Sequence, residues 1–403
     1  MLKKIPVSQL RIGMYLHKLD ASWINHPFWR SAFLVSQQAD IDKLVSSSIS
    51  HVIIDTSKGD DVAATETEKI ATPSVTTPSA APKQQVTDIA EELEQAARTC
   101  ARATRDVKNM FQEARLGKAV DSEQAMSLVV DISSSVSRNP GALISLARLK
   151  NHDDYTYMHS VAVCGLMIAL AMQLEMDEET VRLCGLAGLL HDIGKMDIPM
   201  SIINKPGKLN DDEFMLVKNH PQAGHAMLSR VKDLHPMVLD VCLHHHEKIA
   251  GNGYPHQLAG DQISIYARMG AICDVYDAIT SERSYNKGWH PADALRSMAD
   301  WTNDHLDSRI FQAFVKSLGI YPVGSLVRLE SGRLAVVVDK NPAALLKPKV
   351  KAFFSTKSNT HIKPEIINLS HPGCQDKITA IEHPEDWHFP DINQLWTNGI
   401  DYP

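Results

Sequence analysis

The sequence predicts a mainly α protein, with a small mixed α/β domain in front of a long helical core and a β-hairpin extension behind it. Three observations carry this. From about Asp121 to Gly319 apolar residues recur at helical spacing, with few alternating runs and short loops bearing Gly or Pro. Residues 59–86 break in composition, with Pro, Ser, Thr and Ala and no periodic large hydrophobes. After Tyr321-Pro322 the texture turns to short alternating runs. A chain of 403 residues also exceeds one ordinary core, so two or three domains are expected.

The elements follow in order. Gly13-Met14-Tyr15-Leu16 and Val52-Ile53-Ile54 are strand-like, and the spacing between them predicts a helix over residues 39–45. This gives a small domain over residues 1–58 and a linker over 59–86. A helical connector occupies 87–127, the helical core 128–320, and a β-rich extension 321–403. In the connector, Ile89, Leu93, Ala96, Cys100, Ala103, Val107 and Met110 recur at steps of four and three. Such a seam fits either a helix packed on its own domain or a short dimer coiled coil. The strict alternation favours a homodimer in which this helix is one contact among several. In the extension, residues 324–329 and 333–339 flank Glu330-Ser331-Gly332 and read as a hairpin, with a third strand over 349–354. The last stretch, with Trp387 and Trp396, reads as irregular.

Composition narrows the function. Hydrophobic residues make up 44% and charged residues 22%, which is ordinary for a globular chain. A net charge of −7 excludes a protein held on long DNA or RNA by overall charge, while leaving room for a small anion in a local pocket. The six cysteines form no CxxC and sit mostly among apolar neighbours, which points to free thiols in a reducing compartment. The first residues show no signal-peptide pattern. The longest apolar run, Val161–Met172, is shorter than the roughly 20 residues that span a bilayer. A cytoplasmic protein with no membrane partner is expected.

Ten of the 19 histidines lie between His152 and His256. His159 precedes an apolar helix, and His191-Asp192 close another before Ile193-Gly194-Lys195. His220 is followed by Pro221, and His244-His245-His246-Glu247 stand before Gly251-Asn252-Gly253-Tyr254-Pro255. Asp274 and Asp277 share a helical segment. Imidazole and carboxylate together, without thiolate, suit iron, manganese, nickel or zinc. A carboxylate beside a histidine at a helix end lets the pair serve two metals. Two metals about 3.5–4 Å apart can activate a hydroxide for in-line attack on phosphorus. Lys195, four positions after His191, would present a cation to a phosphate oxygen. Each piece alone is weak: one HD dipeptide arises by chance, and a histidine near an apolar helix is usually a core residue. The ordered combination is what carries information.

That combination resembles the HD-GYP family, a branch of the HD phosphohydrolases, over roughly residues 128–320. The strings that carry it are YTYMHS (155–160), LLHDIGKMDIP (189–199), NKPGKL (204–209), NHP (219–221), HHEKIAGNGYP (245–255) and ARMGAICDVYDAITSERSY (267–285). The resemblance implies an all-helical HD-type catalytic domain and metal-dependent hydrolysis of a cyclic dinucleotide. Cyclic di-GMP would be cut to linear pGpG, and onward to GMP where the linear product is cut again, by hydroxide on the metal pair. It implies His159, His191, Asp192, His220, His245, His246 and Asp274 as metal ligands, with Asp192 as the bridge and Lys195 on the scissile phosphate. Gly253, Tyr254 and Pro255 match the signature loop, and Arg283 matches a substrate-phosphate arginine. Where the family often has a basic residue three positions after that arginine, Asn286 stands here with Lys287 beside it, so Lys287 joins the substrate-binding candidates. Members with three metals carry a glutamate one turn before the first histidine. Tyr155 occupies that position, so two divalent ions are expected, iron or manganese before nickel or zinc. Asp277 is expected to orient a ligand or cap locally, and His244 to be structural. The first 130 residues resemble a small N-terminal domain of unassigned function found in bacterial members. Two alternatives stand beside this reading: a hydrolase of a hybrid cyclic GMP-AMP, and a non-catalytic cyclic-dinucleotide receptor.

Overall fold

A computed structural model describes residues 2–19, 33–35, 41, 51–60, 89–149, 155–205, 207–281, 288–302, 304–397 and 399–400. The described chain divides into two compact units, one built on an N-terminal sheet and one running from the first long helix onward.

The N-terminal sheet has the order β1-β4-β2-β3, from β1 (Leu2–Pro6), β2 (Tyr15–Leu19), β3 (Phe33–Leu34) and β4 (His51–Asp55). Each pairing is antiparallel, with Leu2 opposite Asp55 and Pro6 opposite His51. Alternation in β4 sends Val52 and Ile54 into a core shared with Ile5, Leu16, Met14 and Val35. The strand expected over 13–16 begins only at Tyr15. Gly13 has φ +97°, a left-handed conformation that belongs to a turn, and an Asp60 carboxylate oxygen fills the place a Cβ would take. Strand β1 escaped the sequence reading because Lys3 and Lys4 interrupt its apolar alternation; only Ile5 is buried in it. The helix expected over 39–45 lies outside the described residues except Ile41, as does the linker except residues 59 and 60.

The second unit begins with α1 (Ile89–Arg115), followed by α2 (Ser122–Arg138), α3 (Pro140–Arg148), α4 (Tyr155–Gln173) and α5 (Glu178–Leu190). All seven seam residues of α1 are buried, and α1 packs on α2, α3 and α4 of the same chain. Buried Glu92 fixes the contact by accepting from Arg138 Nε at 2.6 Å and from Ser135 Oγ at 2.8 Å. The seam is therefore intramolecular, and this corrects its expected use as a dimer contact. A four-three alternation reports a narrow apolar stripe, and helices of one chain cover such a stripe as well as a second copy does. Leu93 is fully buried. Leu93→Glu should then cost about 4 kcal/mol or more of stability through an unpaired buried charge. Thermal melting should show a lower Tm at every protein concentration, whereas a dimer seam would give a shift that dilution of the wild type reproduces.

Helix α4 is apolar around its whole circumference, as a central helix must be. Among the described residues it is the one helix long and apolar enough to cross a membrane, and 83% of its apolar window is buried inside the fold. The helical part continues through α6 (Met200–Ile203), α7 (Asp211–Lys218), α8 (His220–Leu228), α9 (Pro236–His244), α10 (Ile265–Thr280), α11 (Pro291–Asp300) and α12 (Ser308–Leu318). Five of the six cysteines are buried free thiols, and Cys374 is half-buried.

The C-terminal sheet has the order β8-β7-β6-β5-β9 and is antiparallel throughout. The expected hairpin is β5 (Leu326–Leu329) with β6 (Arg333–Asp339), and the expected third strand is β7 (Lys349–Ser355). Strands β8 (Thr360–Asn368) and β9 (Ile378–Glu382) are the two edges. Most of their side chains face solvent, so they lack the apolar alternation that exposes a strand in sequence. The tail contains a one-turn helix, α13 (Gln394–Thr397), that buries Trp396.

Candidate metal centre

Five helices deliver the histidines and aspartates to one place. His159 sits on α4, His191 and Asp192 follow the last residue of α5, and His220 opens α8. His245 and His246 follow α9, and Asp274 and Asp277 project from α10. After Asp192 the chain tightens into a 3₁₀ turn, Ile193–Asp197. That turn must lie directly on the start of α8. A Cβ on Gly194 would stand 1.9 Å from the His220 carbonyl and 2.4 Å from the Gly224 nitrogen, both backbone atoms that cannot swing away. The glycine of the HDIGK string thus sets the approach that brings His220 to Asp192.

The two oxygens of Asp192 face different groups. Oδ2 lies 3.3 Å from His159 Nε2 and 3.4 Å from His191 Nε2. Oδ1 lies 3.2 Å from His220 Nε2 and 3.9 Å from His245 Nε2. Asp274 reaches the first group through Oδ1, 3.1 Å from His159 Nε2, and its Oδ2 is 3.8 Å from His246 Nδ1.

The outer ring nitrogens determine what the inner ones carry. His191 Nδ1 donates to the Gly188 carbonyl at 2.8 Å and His220 Nδ1 to the Val217 carbonyl at 2.7 Å. His245 Nδ1 is 3.0 Å from the carbonyls of Val241 and Cys242. A carbonyl only accepts, so each of these Nδ1 atoms carries a proton, and in its neutral form each ring turns an Nε2 lone pair inward. His220 Nε2 and His245 Nε2 then face each other at 3.2 Å with no proton between them. His191 Nε2 and Asp192 Oδ1 are buried without a hydrogen-bond partner. Opposed lone pairs and orphaned acceptors are costly in a dry site unless a cation lies among them. The donor set, imidazole nitrogen with carboxylate oxygen, suits a first-row divalent ion.

The electrostatics agree. Burial pushes His245 well below its usual value, and crowding by His246, His191 and His220 adds to this. Burial likewise takes His246 to about 3 against the pull of Asp274. Both rings are held neutral, the form that ligates. Burial would raise Asp192, but the Lys195 charge and the rings of His191, His159 and His220 around it hold it well below the carboxylate range. Asp274 is depressed in the same way, chiefly by His159 and His191 against burial. For His159 burial works downward, but Asp192, Asp274 and Asp277 outweigh it and raise the ring to about 10. Carboxylates that favour a proton there also favour a metal cation.

Other expected residues fall around this cluster. Lys195 Nζ lies 2.5 Å from Asp192 Oδ2, so here it neutralises the shared carboxylate at the cluster's edge. Tyr155 stacks on His159, centroids 6.0 Å apart, so this position offers an aromatic ring and no carboxylate. Gly253 lies against the Glu247–Lys248 backbone. The Tyr254 ring stacks on His246 at 4.7 Å, ahead of Pro255, which follows a cis peptide bond. His244 turns away, to Asp240 and His256. Arg283, Asn286, Lys287, Asp153 and Asp154 lie outside the described residues.

Asp277 takes the orienting role expected of it, and one further carboxylate, Glu247, was not singled out by the sequence. Asp277 Oδ2 lies 2.6 Å from His159 Nδ1 and so fixes that ring with its Nε2 inward. Buried Glu247 accepts from the backbone nitrogens of His256 at 2.6 Å and Leu258 at 3.1 Å, which clamps the loop carrying Tyr254. The signal for Asp277 was its spacing of three from Asp274, which places both on one helical face. A glutamate directly before a glycine-rich loop was the only signal for Glu247. Asp277→Asn should weaken metal affinity about 10- to 100-fold, as loss of a histidine's orienting carboxylate does elsewhere, with the fold kept. Metal titration of the stripped protein would measure it.

Residues 135–310 match the HD domain family, and residues 2–125 match a domain of unknown function, DUF3391. A cyclic di-GMP phosphodiesterase of Pseudomonas aeruginosa is 53% identical over 98% of this chain and 96% of its own. The cyclic di-GMP phosphodiesterase response regulator RpfG of Xanthomonas campestris is 39% identical over 38% of this chain and 40% of its own. A 3′3′-cGAMP-specific phosphodiesterase of Vibrio cholerae is 34% identical over 40% of this chain and 38% of its own.

Proposed function

The chain belongs to the HD-GYP family, and from that premise we propose that it hydrolyses cyclic di-GMP to linear pGpG at the His/Asp cluster. The observation that carries this is Asp192, whose two oxygens each face a separate set of inward ring nitrogens. One divalent ion would be held by His159, His191, Asp192 and Asp274. A second would be held by His220, His245, His246 and the other oxygen of Asp192. When bound, the ions supply positive charge to the phosphate and lower the pKa of water.

The protein's own residues do the rest. Asp277 holds His159 in its ligating orientation. Lys195 stands beside Asp192 with its ammonium group at the edge of the cluster, where it offsets charge developing on the scissile phosphate. Arg283 and Lys287 are further candidates for phosphate contact. Iron or manganese fits the donor set best, and cytoplasmic residence fits a nucleotide substrate. The similarity to a cGAMP-specific enzyme keeps hybrid cyclic GMP-AMP as a second substrate. Base choice depends on contacts beyond the metal ligands.

Purification without chelator, elemental analysis, and incubation with cyclic di-GMP and cyclic GMP-AMP side by side test the reading. Two ions per chain and release of pGpG are expected. Intact cyclic di-GMP bound to a fully loaded protein would replace the enzyme by a receptor. A reproducible three ions would bring in another carboxylate, with Asp153 and Asp154 the nearest candidates in sequence.

A further inference from the structure

Helix α7 is anomalous for a folded chain. None of its eight residues is buried, yet it carries Phe214, Met215 and Leu216 at 49%, 64% and 52% exposure. The segment is nonetheless firmly placed. Asn210 and Glu213 form a reciprocal cap, and Glu213 binds Lys205 Nζ at 2.6 Å. Phe214 and Lys218, four apart, share one face. Lys218 Nζ lies 5.1 Å from the centre of the Phe214 ring and 5.2 Å from that of Tyr254, whose ring in turn stacks on His246. A row therefore runs from the candidate metal centre outward: His246, Tyr254, Lys218, Phe214. Among the described residues Lys218 makes no ion pair with a carboxylate, whereas Lys205 is taken by Glu213 and Lys195 by Asp192.

We infer that this row seats the second nucleotide of the substrate, with Lys218 on the phosphodiester that is not cut and Phe214 stacking a base; this rests on the cyclic-dinucleotide reading above. A cyclic dinucleotide carries two phosphate charges. With one at the metal cluster, the other needs a cation nearby that no carboxylate has already neutralised, and Lys218 is such a cation. A half-exposed aromatic ring beside it gives a base a stacking surface that does not depend on base identity. Phe214, Met215 and Leu216 together form a contiguous exposed apolar patch, the kind of surface that meets a ligand.

The test compares cyclic di-GMP with bis(p-nitrophenyl) phosphate, a phosphodiester that has no second nucleotide, using the metal-loaded full chain. Phe214→Ala and Lys218→Met should each raise KM, and the Kd for cyclic di-GMP, by about tenfold or more, the scale of one lost base stack. The loss on bis(p-nitrophenyl) phosphate should be at least tenfold smaller. Phe214→Trp should restore cyclic di-GMP affinity by keeping an aromatic face. Equal losses on both substrates, or no loss on either, overturn the seat while leaving the phosphodiesterase reading intact. A wild-type protein that neither binds nor cuts cyclic di-GMP, yet cleaves bis(p-nitrophenyl) phosphate, overturns the substrate reading and the seat with it.

Discussion

Asp192→Ala should lower cyclic di-GMP hydrolysis by about 10³-fold or more, a barrier increase of about 4 kcal/mol, and should strip most of the bound metal. No other side chain in the cluster stands within 3.5 Å of inward nitrogens on both sides; Asp192 does so through Oδ2 to His159 and His191 and through Oδ1 to His220. Without it, the five imidazoles of the two sets would have Asp274 as the one carboxylate facing their inward nitrogens. Neutral rings alone bind a divalent ion less well than rings with an anion, and the charge lost is the one common to both ions. The effect should exceed that of any single histidine substitution. Elemental analysis and product chromatography on the same preparation check both halves. Wild-type turnover in this variant would end the shared-carboxylate account.

Lys195→Ala should separate rate from metal. Its ammonium group lies 2.5 Å from Asp192 Oδ2, and the two ionic partners are buried to different degrees, 25% and 1% exposed. Removing the lysine leaves Asp192 with more of its negative charge to give to a cation, so metal content should hold or rise. The phosphate loses a positive charge that counts most as the transition state gains negative charge. The kcat should fall on the order of 10²-fold, the cost of one missing oxyanion donor. Loss of metal in Lys195→Ala would show instead that the lysine serves to shape Asp192 for ligation. A fall confined to KM would place it in ground-state binding.

The two variants together separate the roles of neighbouring residues in one short string. HDIGK reads in sequence as a metal pair followed by a phosphate lysine. The structure adds that the lysine and the shared aspartate are directly paired, so neither can change without altering the other's charge. Double substitution should for that reason be less than additive in metal affinity.

The helical core, the central hairpin and third strand of the C-terminal sheet, and the identity of the residues that cluster were all legible in the amino-acid sequence. Apolar period and residue type are local properties, and one chain displays both. The sequence did not determine the edge strands β1, β8 and β9, because solvent-facing strands carry no apolar alternation to read. The destination of the α1 seam also lay beyond the sequence. An apolar stripe states that something covers it, and only the packing of α2, α3 and α4 shows that the cover is the same chain. The same holds at the site. His159 and Asp277 are 118 positions apart, and the 2.6 Å between their side chains depends on how α4 meets α10. Which nitrogen of each histidine turns inward depends on carbonyls at Gly188, Val217 and Val241 that any residue could supply. Side-chain chemistry is written in the sequence; backbone partners, close approaches such as Gly194 on His220, and the row from His246 to Phe214 exist only once the helices are packed.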